Sequence, residues 1–591
     1  MVPTRVFDIL DHLKEYAPEQ DILNAKRNKQ WVPVSLESFY QQVQYVSSAL
    51  LANGYRTGDK VGIMSANLPE WNFVDYGSQQ LGMPNVPIYP TIGADDLVYI
   101  LNHSEIRILF TSDQSVVQKV RSVQTSLRYL RDIVCFSDVP GTISFAAFLE
   151  QGRAAYDPDK ISMLRNGVRP DDMFTLLYTS GTTGNPKGVM LSHRNILSNL
   201  EACKDIAPFR TSWRALSFLP LNHIYERFLN TLYLFHGVGI FYAESVETIG
   251  ENAKEIQPQI FVAVPRVLER VLEKIMNAGE QLHGLKKKIF DWSLDLAARY
   301  ELNGANGPLY EIQRKLADRL VFRKWRAAVG GKMEAIVSGG AALNPRLERI
   351  FTCAGLPLLQ GYGMTESCVV IAVNRWEQQD RHFGTVGIVV ENSEVRIDPE
   401  DGEILFRGPS VMLGYYKDEA ATREAIDAAG WLHTGDVGTL VDGRFLKITD
   451  RKKEIFKNSA GKYIAPVAIE NRLKESKYIE QVMVIGEGQK FASALIVVSA
   501  DYFRDLFVKE NISWLQEGFE ENELVKKTIA AHVQAVNAHL GPHEQIKRYR
   551  LLGNPWTVNG GEITPKLSLR RKIIAGKYQA LIAEIFPAGN Q

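Results

Sequence analysis

Residues 178 to 193 read YTSGTTGNPKGVMLSH, a run of glycines and Ser/Thr hydroxyls around one lysine. Glycines let backbone N–H groups close on an anion, and hydroxyls add donors that adapt to its shape. The run is suited to phosphate, yet it is not a Walker A loop, which ends in Gly-Lys-Ser/Thr so that the hydroxyl reaches a metal. Here Lys187 is followed by Gly188. The apolar MFTLLYTS (173 to 180) before it reads as a buried strand, and RNILSNLEACKDI (194 to 206) after it as a capped helix. Those flanks, with Lys187 inside, separate the run from a flexible linker, whose composition Ser/Thr/Gly can mimic.

Outward from this stretch, helix-then-strand alternation recurs. LESFYQQVQYVSSALLAN (36 to 53) leads to KVGIMSA, LVYILNHSE to RILFTSD, RNILSNLEACKDI to RALSFLPL, and AKEIQ to QIFVAVP. Such units need crossover helices, so they predict an α/β fold with parallel sheets in a large N-terminal domain of several subdomains. After about residue 383 the texture changes to short alternating runs broken by Gly, Pro and Asp-Gly, as in FGTVGIVVENSEVRIDPEDGEILFRGPSVMLGYYKD, the pattern of a small antiparallel β subdomain (383 to 449). The charged stretch Thr449 to Lys453 is the expected boundary. It separates a domain of residues 1 to 449 from a smaller, mobile α+β C-terminal domain of residues 450 to 591.

A chain of 591 residues is long enough for two or more domains, and 45% hydrophobic with 23% charged residues is ordinary globular composition. Lys+Arg and Asp+Glu are equal at 68 each, so no global field recruits nucleic acid or an acidic membrane, and any phosphate site is local. Cys135, Cys203, Cys353 and Cys368 stand far apart, with no CxxC pair and no His at metal spacing, which points to a reducing cytosol and no zinc. The opening MVPTRVFDILDHLKEY is broken by Asp8 and Asp11 and lacks a signal-peptide core. The longest apolar stretch, Phe228 to Tyr242, includes Asn230 and His236 and falls short of the roughly 20 residues of a spanning helix.

YTSGTTGNPKG resembles the signature loop of the acyl-adenylate-forming (AMP-binding) superfamily, which includes acyl-CoA synthetases, peptide-synthetase adenylation domains and beetle luciferases. In that family the loop, here Thr179, Ser180, Gly181, Thr182, Thr183, Gly184 and Lys187, embraces the β- and γ-phosphates of ATP, which leave together as pyrophosphate. More landmarks follow in order. In QGYGMTES (360 to 367) the resemblance gives Tyr362 to adenine, with Gly361 and Gly363 beside it at the nucleotide, Thr365 to the α-phosphate and Glu366 to Mg2+, a hard cation that prefers oxygen ligands. VSGGAAL (337 to 343) would line the adenine and acyl pocket through Gly339, Gly340 and Ala341. In GWLHTGDVG (430 to 438) Asp436 would take both ribose hydroxyls, with Arg451 of TDRKK the second ribose contact and Asp450 at the hinge. In GEITPKLSLRRK (561 to 572) Lys566 fits the C-terminal lysine that contacts the carboxylate and α-phosphate. Pro565 departs from the commoner Gly-Lys, and some members carry the lysine where Ser568 stands here.

Within the superfamily the chain is most similar to bacterial long-chain fatty acid CoA ligases, on NVPIYPT, FLPLNHIYER, FVAVPRVLERV and GYYKDEAAT. The resemblance implies two half-reactions with ATP, Mg2+ and CoA. A fatty acid carboxylate attacks the α-phosphorus, giving acyl-AMP and pyrophosphate, and the CoA thiol then displaces AMP. His223 would lie near the reacting carboxylate, and Lys457 with Gly461 would reach the site only after the C-terminal domain rotates for the second half-reaction. Two alternatives stay open: an acyl-AMP ligase that serves a carrier protein, although residues 572 to 591 are too few for a fused carrier domain, and a non-catalytic nucleotide-binding regulator. The expectation is a cytoplasmic protein whose only membrane contact is weak and peripheral, at the inner face. Chain-length preference and oligomeric state, a homodimer included, are not legible.

Overall fold

The computed structural model describes residues 2 to 587 apart from 18–19, 180–184, 246, 453, 477, 511, 515–516, 558–559 and 564–568. The chain is α/β and divides into two compact units. Met1–Arg396, Leu405–Thr434 and Val441–Leu446 form the larger; Ile397–Ile404, Gly435–Leu440 and Lys447–Gln591 form the smaller.

The larger unit holds two predominantly parallel sheets. In one, strands Met173–Thr179, Asn85–Pro87, Lys60–Met64, Ile106–Thr111, Asp132–Cys135 and Ile143–Ser144 run parallel in that order. In the other, the parallel order is Asp21–Arg27, Gly239–Tyr242, Arg214–Ser217, Ile260–Ala263, Ala335–Ser338 and Leu358–Tyr362. Strands such as Ile260–Ala263 and Ala335–Ser338 are buried at every position, as parallel strands covered on both faces must be. The helix-then-strand pairs expected from sequence are present. Helix Leu36–Ala52 starts at Ser35, whose hydroxyl accepts the Ser38 N–H at 3.2 Å, and strand Lys60–Met64 follows.

One local expectation is corrected. The phosphate-loop stretch does not run from strand directly to helix: Lys187–Ser192 is itself a strand, antiparallel to Met173–Thr179, with Thr179 opposite Lys187. The two strands are the arms of a hairpin, and helix His193–Cys203 begins only after the second arm, capped by Ser192 on the Asn195 N–H at 3.2 Å. Gly188-Val-Met-Leu supplies the extended, buried segment, and short apolar runs of this length do not distinguish strand from loop flank by periodicity.

The smaller unit is α+β. Strand Ala492–Val498 pairs antiparallel with Ile479–Ile485 and parallel with Ile546–Leu552. Ile469, Leu473, Phe503 and Ile529, from helices Pro466–Leu473, Ala500–Lys509 and Glu523–Asn537, close a core against Ile496.

The two sheets of the larger unit meet at consecutive residues of helix Ile224–Phe235. Arg227 is buried and makes a two-pronged ion pair with Asp75 of helix Pro69–Gln79, Nη2 to Oδ1 at 2.6 Å and Nε to Oδ2 at 2.9 Å. Its Nη1 donates to Asn85 Oδ1 at 3.1 Å, an atom that also accepts from Thr175 Oγ1 at 2.8 Å, and its guanidinium lies 4.5 Å from the Phe174 ring centroid. Glu226, next in the chain, turns the other way. Its Oε1 accepts from Ser217 Oγ at 2.5 Å and Asn230 Nδ2 at 3.3 Å, and burial pushes its carboxyl up to about 8.

Two outcomes follow. Arg227→Met leaves the Asp75 carboxylate buried without its cation and should cost about 3–5 kcal/mol in urea unfolding; a loss under about 1 kcal/mol would mean the pair does not hold the sheets together. For Glu226, the folded carboxyl titrates near 8 and the unfolded one near the ordinary 4.5, so between those values the folded chain carries the extra proton. Its contribution to stability is therefore full below about pH 4.5, falls as pH rises, and is lost above about 8. Glu226→Gln should match the wild type near the lower limit and exceed it above the upper one by on the order of a few kcal/mol. A difference that does not change with pH would rule out a neutral acid at this position.

Candidate active site

Strand Leu358–Tyr362 ends in Gly361-Tyr362-Gly363, and the chain then turns through the short helix Thr365–Ser367. Only glycine fits at 363, because a Cβ there would lie 1.4 Å from the Val369 carbonyl oxygen. The neighbouring strand Ala335–Ser338 ends in Gly339 and Gly340, the latter at φ +81°, in the left-handed region. A Cβ at Gly339 would press on Tyr225 Oη at 2.9 Å. Helix Ile224–Phe235 faces these strand ends, and His223 is its N-cap: its Nδ1 accepts the Tyr225 N–H at 3.1 Å.

Between these segments lies a cavity of about 60 Å³, lined by His223, Tyr225, Gly339, Gly340, Tyr362 and Gly363, with an apolar far side that includes Phe228, Leu229 and Val370. The phenol oxygen of Tyr225 is buried on this wall with no hydrogen-bond partner. Ala341, expected on the lining, is exposed and is not part of it.

Next to the cavity, three segments place opposite charges on one aromatic ring. The edge strand Gly414–Tyr415 pairs with the second arm of the phosphate hairpin, Tyr415 opposite Val189. The Tyr416 N–H donates to the Gly188 carbonyl at 2.7 Å, and the Met412 N–H to the Glu366 carbonyl at 2.8 Å. Tyr415 Oη donates to Glu366 Oε1 at 2.9 Å, while Lys187 Nζ sits 4.9 Å from the Tyr415 ring centroid. Burial, and then the Glu366 carboxylate, raise the Tyr415 hydroxyl far above its ordinary value, so it stays a donor. In the sequence, GYYKDEAAT carries only a family likeness. What makes Tyr415 a site residue is its register against Val189, which no local pattern reveals. Thr365, at the head of the short helix, is buried.

The Mg2+ fit rests on Glu366. Among the described residues no group of three or more His, Cys, Asp and Glu side chains could hold a metal. A single carboxylate is what a magnesium ion needs when phosphates and water supply its other ligands, so the residues fit this ion brought in with a nucleotide. The orphaned Tyr225 hydroxyl and the side-chain-free glycine edges likewise fit a polar ligand held close to backbone.

The remaining expected residues lie in the smaller unit. Asp436 is buried and pairs with Arg451 Nε at 3.0 Å through Oδ1. Asp450 accepts the Arg451 N–H at 2.6 Å on Oδ1, its Oδ2 is buried without a partner, and burial pushes its carboxyl up to about 6. Lys457 is exposed on the two-residue strand Phe456–Lys457, its Nζ 4.7 Å from the Tyr463 ring centroid, and Gly461 takes φ +73° in the turn between. Ser180, Gly181, Thr182, Thr183, Gly184 and Lys566 lie outside the described residues.

Comparison with known proteins agrees with this arrangement. Residues 14–416 match the family model of the AMP-binding enzymes, and residues 454–589 that of the AMP-binding enzyme C-terminal domain. The chain is 32% identical over 574 residues to the long-chain-fatty-acid–CoA ligase FadD15 of Mycobacterium bovis, covering 94% of this chain and 92% of that one. It is 31% identical over 595 residues to the human long-chain-fatty-acid–CoA ligase 1, covering 93% and 82%. Among solved structures, an anthranilate CoA ligase, AuaEII, in complex with anthranoyl-AMP superposes with a TM-score of 0.73 at 18% identity, covering 99% of each chain. A fatty acyl CoA synthetase of Mycobacterium tuberculosis superposes at 0.64 and 19%, covering 98% and 99%, and these two likenesses speak to the fold alone. With both of its halves matched to models of one family and with relatives above 30% identity along nearly its whole length, the chain belongs to the AMP-binding enzymes.

Proposed function

We propose that the protein is a long-chain fatty acid–CoA ligase, forming acyl-AMP from a fatty acid and ATP and then the CoA thioester, with pyrophosphate and AMP released. The observation that carries this reading is the set Lys187, Tyr415 and Glu366 at the base of the phosphate hairpin, beside a glycine-edged, mainly apolar cavity. It unites cation, carboxylate and apolar wall as the reaction's three substrates require, and the named relatives carry the same activity in their names.

A carboxylate does not react with a thiol, because oxide is a poor leaving group; adenylation replaces it with a good one. In the first half-reaction a carboxylate oxygen bonds to the α-phosphorus as the bond to the β-phosphate oxygen breaks. Lys187 and the hydroxyls of Ser180, Thr182 and Thr183 hold the leaving phosphates, and Thr365 holds the α-phosphate. Glu366, kept in place by the Tyr415 hydroxyl, would hold Mg2+, which would supply charge neutralisation at the phosphates. His223 orients the fatty acid carboxylate from the helix N-terminus. Asp436 and Arg451 take the ribose hydroxyls, and Lys566 stabilises the charge gathering between carboxylate and phosphate. In the second half-reaction the CoA sulfur bonds to the acyl carbon and AMP departs, with residues 450 to 591 turned about Asp450 to present Lys457 and Gly461. The enzyme positions reactants and supplies no covalent nucleophile. The reading includes a peripheral contact with the membrane that holds the fatty acid; among the described residues no helix is long and apolar enough to cross a bilayer.

A panel of carboxylic acids assayed for AMP release with CoA tests the reading. Release with a carrier protein and not with CoA would favour the acyl-AMP ligase, and absence of fatty-acid-dependent pyrophosphate exchange would leave only a nucleotide-binding regulator. Glu366→Gln should lose adenylation with its melting temperature unchanged, and Tyr415→Phe should raise the Mg2+ needed for half-maximal rate about tenfold, the value of one hydrogen bond to a charged group. Unaltered turnover of Glu366→Gln at limiting Mg2+ would take that carboxylate off the metal.

The two lysines separate the half-reactions. Removing one charge-stabilising contact costs about 10²- to 10³-fold. Lys566→Ala should therefore nearly abolish acyl-AMP formation yet still convert supplied acyl-AMP and CoA to thioester, and Lys457→Ala should show the reverse bias. Equal loss of both half-reactions in either variant, at unchanged melting temperature, would overturn that division.

A further inference from the structure

Residues 308 to 328 form one continuous helical run: Pro308–Ala317, a π turn over Asp318–Phe322, then Arg323–Ala328. Its inner side is ordinary. Ala317, Val321, Phe322 and Trp325 are buried with Phe290, Leu296 and Ala297 of the neighbouring helix Gly284–Ala298. Its outer side is not. Leu309, Ile312, Leu316 and Leu320 are 69%, 66%, 51% and 41% exposed and stand three, four and four residues apart, so they form one stripe. The other large exposed apolar residues of the larger unit are mostly scattered singly.

Beside that stripe runs a second one of Lys315, Arg319 and Arg323, each four residues from the next, with Lys324 adjoining, all exposed. The carboxylates of the run are already engaged, Glu311 with Arg314 and Asp318 with Arg326. Among the described residues no carboxylate is bonded to Lys315, Arg319, Arg323 or Lys324. Lys286 and Lys288, near the start of the packed helix Gly284–Ala298, add exposed positive charge.

Alternating apolar and basic stripes on a helix whose other side is anchored in a core are the pattern of a surface that lies in a lipid interface, leucines among acyl chains and cations at headgroup phosphates. We propose that this outer face docks the enzyme on an anionic bilayer. The chain's zero net charge makes the local basic stripe the source of attraction, and an attraction of that kind is weakened by salt. The proposal rests on the peripheral-contact reading above and adds the surface that makes the contact. A second copy of the chain is the less favoured occupant, because the four cations would be brought against their own counterparts across a two-fold axis.

The full-length protein is sedimented with vesicles of phosphatidylcholine alone and of phosphatidylcholine with phosphatidylglycerol. The wild type should pellet with the anionic vesicles and be released by high salt. Ile312→Glu/Leu316→Glu should lower the bound fraction at least tenfold, and Lys315→Glu/Arg319→Glu by about fivefold per charge removed. Both should melt as the wild type does and keep its rate on fatty acid presented in detergent micelles, since none of these residues lines the candidate site. A wild type that stays in solution with anionic vesicles overturns the peripheral-contact reading and the surface with it, while leaving the ligase reading intact. A wild type that pellets together with both variants overturns the surface alone. Variants that change the sedimentation coefficient of the free protein but not its vesicle binding would assign the face to contacts between copies.

Discussion

The Arg227–Asp75 ion pair is the constraint on which the larger unit depends. Arg227 reaches from the helix that walls the cavity to a carboxylate on Pro69–Gln79, to Asn85 and to the ring of Phe174 on the strand that carries the phosphate hairpin. Two charges removed from water are tolerated only when every prong is satisfied, and that requirement fixes the helix against both strands at once. With the helix fixed, His223 at its N-terminus and Tyr225 in its first turn have one place to be relative to the strand ends at Gly339 and Gly363. The reactive geometry is thus set by a polar contact that touches no substrate. Glu226, facing away into a neutral hydrogen-bond network, avoids placing a second carboxylate beside Asp75 and keeps the junction one-to-one in charge.

How much of this was legible in the sequence depends on how local each cause is. Helix Leu36–Ala52 and strand Lys60–Met64 follow from apolar periodicity, a Ser cap and the Gly54 stop, all within a few residues. The hairpin under the phosphate loop was missed because Gly188 to Leu191 is too short for periodicity to speak, and its strand character comes from pairing with Met173–Thr179 on one side and Gly414–Tyr415 on the other. Tyr415 was invisible as a site residue for the same reason, since a register across more than two hundred residues brings it to Glu366. The segments flanking the cavity were readable only through their likeness to a family's motifs; the reason for glycine at 363, where a Cβ would overlap the Val369 carbonyl, appears in the fold alone. The outer stripe on residues 308 to 328 was overlooked because an exposed apolar face and a buried one have the same periodicity, and only packing tells them apart.

Tyr415 also illustrates how one side chain can keep two opposite charges apart. Its hydroxyl, the positive end of the phenol dipole, engages a carboxylate, and the negative face of its ring receives an ammonium. A direct ion pair between Lys187 and Glu366 would satisfy each with the other and leave neither for phosphate or metal. Seated on the aromatic ring instead, the lysine gives up only a weak contact when a better anion arrives.

The apolar wall of the cavity has a kinetic meaning. Phe228, Leu229 and Val370 form its apolar far side, so a long acyl chain seated there competes with their own packing. Apparent affinity then carries the fraction of molecules that are open, so a longer chain is favoured only while each added methylene returns more than the repacking it demands. Selectivity among fatty acids is in this view a property of an equilibrium between packed and parted side chains. Substitutions well behind the cavity wall can shift it without altering a single atom that the substrate touches.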